Sequence, residues 1–290
     1  MLNIYLAFMK SIQSVCVCGA GTMGSGIAQV FAVAGFDTIQ FDVNEGMLEK
    51  SKALIEKNLL YLYEKGKITE IEKSNVLKRI HFTNDINDCK ADIIVEAIIE
   101  KLETKISLFQ QLQTINNSDT IYTSNTSSIS IEKISDKILF ADQFAGLHFF
   151  NPAPVMKLVE LIVSKQTSTT TIETLTRICK QINKTAVVCK DSPGFIVNRV
   201  ARHYYLEAMK LVELYGTDIA TIDELLQTSG FKMGPFVLMD LIGMDINYSV
   251  SNIVWNDLGK PERLKPSVIQ QQKVEAGELG RKSGKGFYQY

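Results

Sequence analysis

The chain has no excess of charge, no disulfide framework and no long apolar run. Lys and Arg total 31 against 32 Asp and Glu, a net charge of −1. No basic field is therefore present to recruit nucleic acid or an anionic membrane surface. Five cysteines in 290 residues are too few, and odd in number, for a disulfide scaffold. This usage fits a reducing, cytoplasmic setting. Cys16 and Cys18 share one face of an apolar strand, and their C-x-C spacing reads as core rather than a metal site; no metal is expected. The opening "MLNIYLAFMK" falls well short of the ~20 residues of a membrane span. It also lacks a basic n-region and a small-residue cleavage site. It reads as a leader, 1–10, with either Met1 or Met9 as the natural start. Histidine is scarce too, at three residues. His81 and His203 suggest surface or structural roles, which leaves His148.

What is present is ordinary globular material, 46% hydrophobic and 22% charged. The length suggests two domains. From Ile12 to about residue 189, strands and helices alternate. Strands are expected at "IQSVCVCGAG", "DTIQFD", "ADIIVEAI", "DTIYTSN", "QFAGLHFF", 155–162 and "TAVVC". Helices are expected over "TMGSGIAQVFAVAG", 44–65, 68–79 and about 101–114. Unbroken apolar strands point to a mainly parallel sheet covered by helices. After "KDSPGF" the pattern is helical: a long segment at 195–215, a Thr-Asp start at "TDIATIDELL", and Pro235 near a further helix start. The expected fold is α/β, with a sheet domain at 11–190 and an all-helical domain at 191–290.

"GAGTMG" matches G-x-G-x-x-G. It follows an apolar strand, opens a helix, and precedes an acidic residue, Asp42, at the end of the next strand. That is the context of a dinucleotide fingerprint. Gly19 permits the tight turn, Gly21 lets a pyrophosphate approach the backbone, and Gly24 lets helix and strand pack closely. Ala20, Thr22 and Met23 complete the turn and helix start, whose free N–H groups and dipole suit phosphates. Asp42 would accept hydrogen bonds from the adenosine ribose diol and repel a 2′-phosphate, favouring NAD over NADP.

A second stretch, "HFFNPAPVMKLVELI", sets a puzzle. Glu160 sits within an apolar strand, and His148 closes another apolar run. Charge in such a setting is costly unless paired or hydrogen-bonded. Phe149 and Phe150, beside the histidine, read as core.

Taken together, "GAGTMGSGIAQ", "SNTSS", "HFFNPAPVMKLVE", "DSPGFIVNR" and "MGPF" resemble the L-3-hydroxyacyl-CoA dehydrogenase family, close to its bacterial 3-hydroxybutyryl-CoA members. The resemblance runs from about Ser11 to Tyr290. It implies a Rossmann-type NAD-binding domain, a helical substrate-binding and dimerisation domain, a homodimer, and exchange of hydride between NAD(H) and a 3-hydroxyacyl-CoA. It casts His148 as general base, Glu160 as its carboxylate partner, and Ser127 and Asn198 as holders of the substrate's oxygens. Glu100, Lys105, Ser127, Asn151 and Lys282 match cofactor contacts. Asn58, Lys65 and Ser127 match positions that touch CoA.

The chemistry is consistent with those residue types. Imidazole titrates near working pH. A carboxylate on one ring nitrogen fixes the tautomer and stabilises the imidazolium as it forms. Ser127 and Asn198 are neutral donors suited to an oxygen gaining partial charge, although a serine in "SNTSS" would also suit a helix cap. Two other functions remain. One is a dehydrogenase of a free hydroxy acid or sugar acid on the same fold; its lysine-based members would need a catalytic lysine in the helix that starts the second domain, where this chain has Asn198 and Arg199. A non-catalytic NAD-binding relative would not need His148, Glu160, Ser127 and Asn198 together.

Overall fold

The computed structural model describes residues 11–290; the leader 1–10, and with it the choice between Met1 and Met9, lies outside the described residues. The described residues divide into two compact units, one ending at Asp191 and the other spanning Ser192–Tyr290. No helix among the described residues is long and apolar enough to cross a membrane.

The first unit is built on eight strands: β1 Ser14–Cys18, β2 Asp37–Phe41, β3 Ile80–Thr83, β4 Ile93–Glu96, β5 Ile121–Ser124, β6 Phe144–Phe149, β7 Leu158–Val163 and β8 Thr185–Lys190. They form one sheet in the order β3-β2-β1-β4-β5-β6-β7-β8. Every neighbouring pair is parallel except β6 and β7. The chain winds outward from β1 through β2 to β3, then crosses back to β4. Ligands of such sheets bind beyond the strands' carboxyl ends where the winding reverses.

Burial explains the strand sequences. Val15, Val17, Ile93, Val95, Ala145 and Leu147 form one face of the core. Against it pack Ile27 and Phe31 of helix α1 (Thr22–Val33), and Leu175 and Ile178 of a later helix, Thr169–Gln181. Between these two helices come α2 (Glu45–Glu64), α3 (Glu70–Lys78), α4 (Leu102–Ile115) and α5 (Ile131–Ser135), making Thr169–Gln181 α6. Thr69 and Glu72 form a reciprocal capping box at the start of α3.

Three departures from the sequence expectation have local causes. β3, "IHFT", is a short edge strand whose half-polar pattern hides it. α6 is threonine-rich, which lowers its intrinsic helix propensity; Ser168 starts it by accepting the Thr171 N–H. β7 begins at Leu158 rather than 155. The residues before it turn, and the Lys184 ammonium donates to the Ala153 and Met156 carbonyls at 2.6 and 2.7 Å.

The second unit is helical: α7 Val197–Tyr215, α8 Ile219–Thr228, α9 Pro235–Ile242, α10 Met244–Asp257 and α11 Val268–Glu275. Asp218 caps α8 by accepting the Thr221 N–H, and Pro235 occupies the first turn of α9. Leu206, Met209, Phe236, Met239, Met244 and Val254 form its core. The C-terminal tail is tied to this core by Asp240, whose carboxylate accepts the N–H groups of Phe287 and Tyr288 and the Tyr290 hydroxyl.

Candidate active site

The glycine turn lies at the carboxyl end of β1, beside the reversal. Each glycine is required for a different reason. Gly19 has φ +109°, and a Cβ there would lie 2.5 Å from the Ala97 carbonyl oxygen. A Cβ on Gly24 would lie 1.9 Å from the Gly19 carbonyl oxygen, so helix α1 can seat on β1 only without one. A Cβ on Gly21 would meet nothing within 4 Å. Its missing side chain serves open space, as close approach of a ligand to the backbone demands.

That space belongs to a groove of about 1220 Å³ lined by Gly19, Gly21, Thr22, Met23 and Asp42. Asp42 is fixed there: its carboxylate accepts the Ala20 N–H at 2.8 Å and the Asn44 N–H at 2.9 Å. Ala20 itself is buried behind the turn. Val43, Ile86, Ile98 and Leu108 supply apolar walls, which suit a flat aromatic base. The sequence reading missed these four. One signal was available, since Val43 is an apolar residue directly after the acid ending β2, and it is 82% exposed.

At the other end of the sheet, β6 and β7 run antiparallel with His148 directly opposite Glu160. The His148 Nδ1 and a Glu160 carboxylate oxygen are 2.8 Å apart, with His148 6% and Glu160 1% exposed. The opening puzzle therefore has a physical answer: the two buried polar groups satisfy each other. An ionised carboxylate can only accept, so Nδ1–H is the donor in this contact whenever Glu160 is ionised. Phe149 is core, edge-on to Phe31. Phe150 departs from the core expectation: β6 has ended, and its half-buried ring lies 4.6 Å from the imidazole, centroid to centroid. The Asn125 side chain accepts the Phe149 N–H at 2.8 Å, joining this strand to the loop after β5.

That loop carries Ser127. Its N–H donates to Glu100 at 3.0 Å, and the same carboxylate oxygen accepts the hydroxyls of Thr126 and Ser128 at 2.5 and 3.1 Å. The other Glu100 oxygen lies 3.1 Å from the Lys105 ammonium. Burial alone would raise the Glu100 pKa, but Lys105 and these donors outweigh it and hold the carboxyl below its usual value. The Lys105 side chain is only 1% exposed, and its ammonium lies 2.5 Å from a second carboxylate, Glu96, which sequence reading missed. Asn151 is exposed just beyond β6.

The remaining expected residues fall on other elements of the two units. Asn58 donates to the buried Gln29 side chain at 3.0 Å. Lys65 caps α2, its ammonium 5.6 Å from the Tyr61 ring centre. In the helical unit, Asn198 is the second residue of α7, and its carbonyl accepts from Arg202. Lys282 pairs with Asp245 at 2.5 Å. Cys16 and Cys18 are fully buried, and Cys89 joins them, the three sulfurs lying within 4.8 Å of one another.

A mainly parallel sheet with a glycine turn and a fixed acid at its winding reversal defines a dinucleotide-binding class of protein. Residues 14–192 match the 3-hydroxyacyl-CoA dehydrogenase NAD-binding domain, and residues 194–290 match that enzyme's C-terminal domain. The chain belongs to the 3-hydroxyacyl-CoA dehydrogenase family, NAD-dependent oxidoreductases that act on hydroxyacyl-CoA. It is 42% identical to the 3-hydroxyadipyl-CoA dehydrogenase of Escherichia coli (strain K12) over 97% of its own length, but spans only 60% of that relative. It is 41% identical to a probable 3-hydroxybutyryl-CoA dehydrogenase of Deinococcus radiodurans, covering 94% of this chain and 99% of the relative. The crystal structure of (S)-3-hydroxybutyryl-CoA dehydrogenase from Ralstonia eutropha is similar with a TM-score of 0.93 and 38% identity, covering 97% of this chain and 99% of that one.

Proposed function

We propose that this chain interconverts short-chain (3S)-3-hydroxyacyl-CoA, 3-hydroxybutyryl-CoA above all, and the matching 3-ketoacyl-CoA, with His148 and Glu160 as the proton-handling pair. Bound NAD supplies the hydride acceptor. His148 accepts the hydroxyl proton at Nε2 while Glu160 holds Nδ1–H and stabilises the imidazolium. Ser127 and Asn198 donate to the substrate oxygen as its charge changes. Asp42 holds the adenosine ribose diol. Glu100, Asn151 and Lys282 serve the rest of the cofactor, Lys105 serves it through its contact with Glu100, and Asn58 and Lys65 serve CoA. The observation that carries this reading is the buried 2.8 Å His148–Glu160 contact, in the same sheet as the nucleotide turn. Low dielectric strengthens that contact, and exclusion of water protects the hydride step.

The same reading places the enzyme in the cytoplasm, in fatty acid and butyrate metabolism. It also makes it a homodimer through the helical unit, where Val200, Leu214, Tyr215 and Leu225 are exposed. A stable monomer by light scattering at micromolar concentration would refute the dimer.

Oxidation of NADH by acetoacetyl-CoA, followed by absorbance, tests the activity. Turnover with the thioester and little with free acetoacetate is expected. Comparable use of the free acid would move the chain to the hydroxy-acid alternative. No turnover with any acyl-CoA would leave an NAD-binding relative without catalysis.

A further inference from the structure

We propose that Glu96, at the end of β4, is a positioning residue: acting through Lys105, it sets the loop that presents Ser127. The inference rests on the proposed role of Ser127.

Two branches leave this one carboxylate. The first oxygen lies 2.5 Å from the Lys105 ammonium and accepts the Ile98 N–H at 2.7 Å. The second accepts the Ser124 hydroxyl at 2.6 Å. Ser124 ends β5, and its oxygen in turn accepts the Thr126 N–H at 3.2 Å. Glu96 therefore holds the root of the loop directly. It also reaches the loop's tip through Lys105, whose ammonium meets Glu100, which collects Thr126, Ser127 and Ser128. By way of Ile98 the same carboxylate steadies one wall of the nucleotide groove.

Placement gives Glu96 its leverage. It is fully buried, as is Lys105, whereas Glu100 is partly exposed. The two carboxyls beside one lysine respond oppositely. Burial pushes Glu96 above the usual carboxylate range despite Lys105, whereas Glu100 is held below it. A carboxylate so costly to bury persists only where its surroundings bind it tightly. Here Lys105, Ile98 and Ser124 all do so. Lys105 then acts on the site through Glu100, since its own ammonium is enclosed between the two carboxylates.

The test compares Glu96→Gln, Lys105→Met, their double variant and Ser127→Ala, measuring NADH and acetoacetyl-CoA kinetics together with melting temperature. A misplacement of about 1 Å can cost ~10²-fold in rate. Glu96→Gln is expected to lower kcat/KM for acetoacetyl-CoA by about 10–100-fold, with part of the loss in kcat. Because the groups form one relay, the double variant should be little worse than either single one. Glu96→Asp keeps the charge at shorter reach and should recover part of the loss. If Glu96→Gln does not fold, Lys105→Met cuts the same relay and carries the same expectation. A lower melting temperature with unchanged kinetic constants per folded enzyme would overturn the proposal, as would fully additive losses. If Ser127→Ala is impaired while Glu96→Gln and Lys105→Met are normal, the relay alone is wrong. If Ser127→Ala is normal, the role of Ser127 falls, and the relay to it falls with it.

Discussion

The β1–α1 turn and the β6–β7 pair solve two recognition problems with opposite materials. At the turn, the contribution is the absence of side chains: Gly19 and Gly24 let backbone meet backbone, and Gly21 leaves room. At the pair, the contribution is two side chains brought face to face by strand register, buried and bonded at 2.8 Å. The turn tolerates no added atom where packing is tight. In the proposed role, the pair should tolerate atoms of the same size but no change in proton chemistry. A backbone-built site should therefore fail by unfolding or loss of ligand, and a side-chain-built site by loss of rate.

The largest expected effect is on rate. His148→Ala should lower kcat by ~10²–10⁴, the usual worth of a general base, while NADH still binds because the groove lies on other residues. Stopped-flow turnover and NADH fluorescence titration on one preparation check both halves. Loss of NADH binding with the rate would erase the contrast between the two regions.

The turn can be probed within itself. Gly24→Ala forces a Cβ against the Gly19 carbonyl. Overpacking of this kind costs about 1–3 kcal/mol, occasionally more, so thermal unfolding should shift down by several degrees. Gly21→Ala meets no atom, and its backbone φ of −71° suits any residue. It should leave the melting temperature nearly unchanged and weaken NADH binding instead. Equal melting temperatures for the two variants would contradict this division.

Smaller effects follow at the margins of each region. Asp42→Ser removes the charge that would repel a 2′-phosphate. It should narrow the NADH-over-NADPH preference by about tenfold, ~1.4 kcal/mol, read from kcat/KM with each cofactor. Smallest is a pH effect at Glu100. Its folded pKa is depressed, so the stability it adds is fully present above the unfolded value of about 4.3. That contribution is lost as pH falls through the depressed folded value. The melting temperature of Glu100→Gln should therefore lie below that of the parent at pH 6–7, with the gap closing on acidification below pH 4. A gap independent of pH would show that packing, not charge, accounts for it.

The same contrast explains what the sequence made legible. The turn is contiguous, so glycine spacing after an apolar strand and before Asp42 records it directly. The pair lies twelve residues apart, yet it was visible because Glu160 contradicts the hydropathy of its strand. Glu96 also contradicts its expected strand, "ADIIVEAI", but nothing near it in sequence named a partner, since Lys105 lies on the following helix. Only the fold shows it fully buried beside Lys105. β3 and the groove wall at Ile86 were missed together, because a four-residue edge strand carries too little apolar periodicity to register. Phe150 read as core because it follows Phe149, whereas the end of β6 turns it onto the imidazole.

The central claim is that Glu160 is buried in order to act on His148, and Glu160→Gln tests it most directly. The amide is nearly the same size but lacks the charge that stabilises imidazolium. With acetoacetyl-CoA and NADH, turnover should fall by orders of magnitude in a protein that still melts cooperatively and binds NADH. Full turnover by a stably folded Glu160→Gln enzyme would contradict the account.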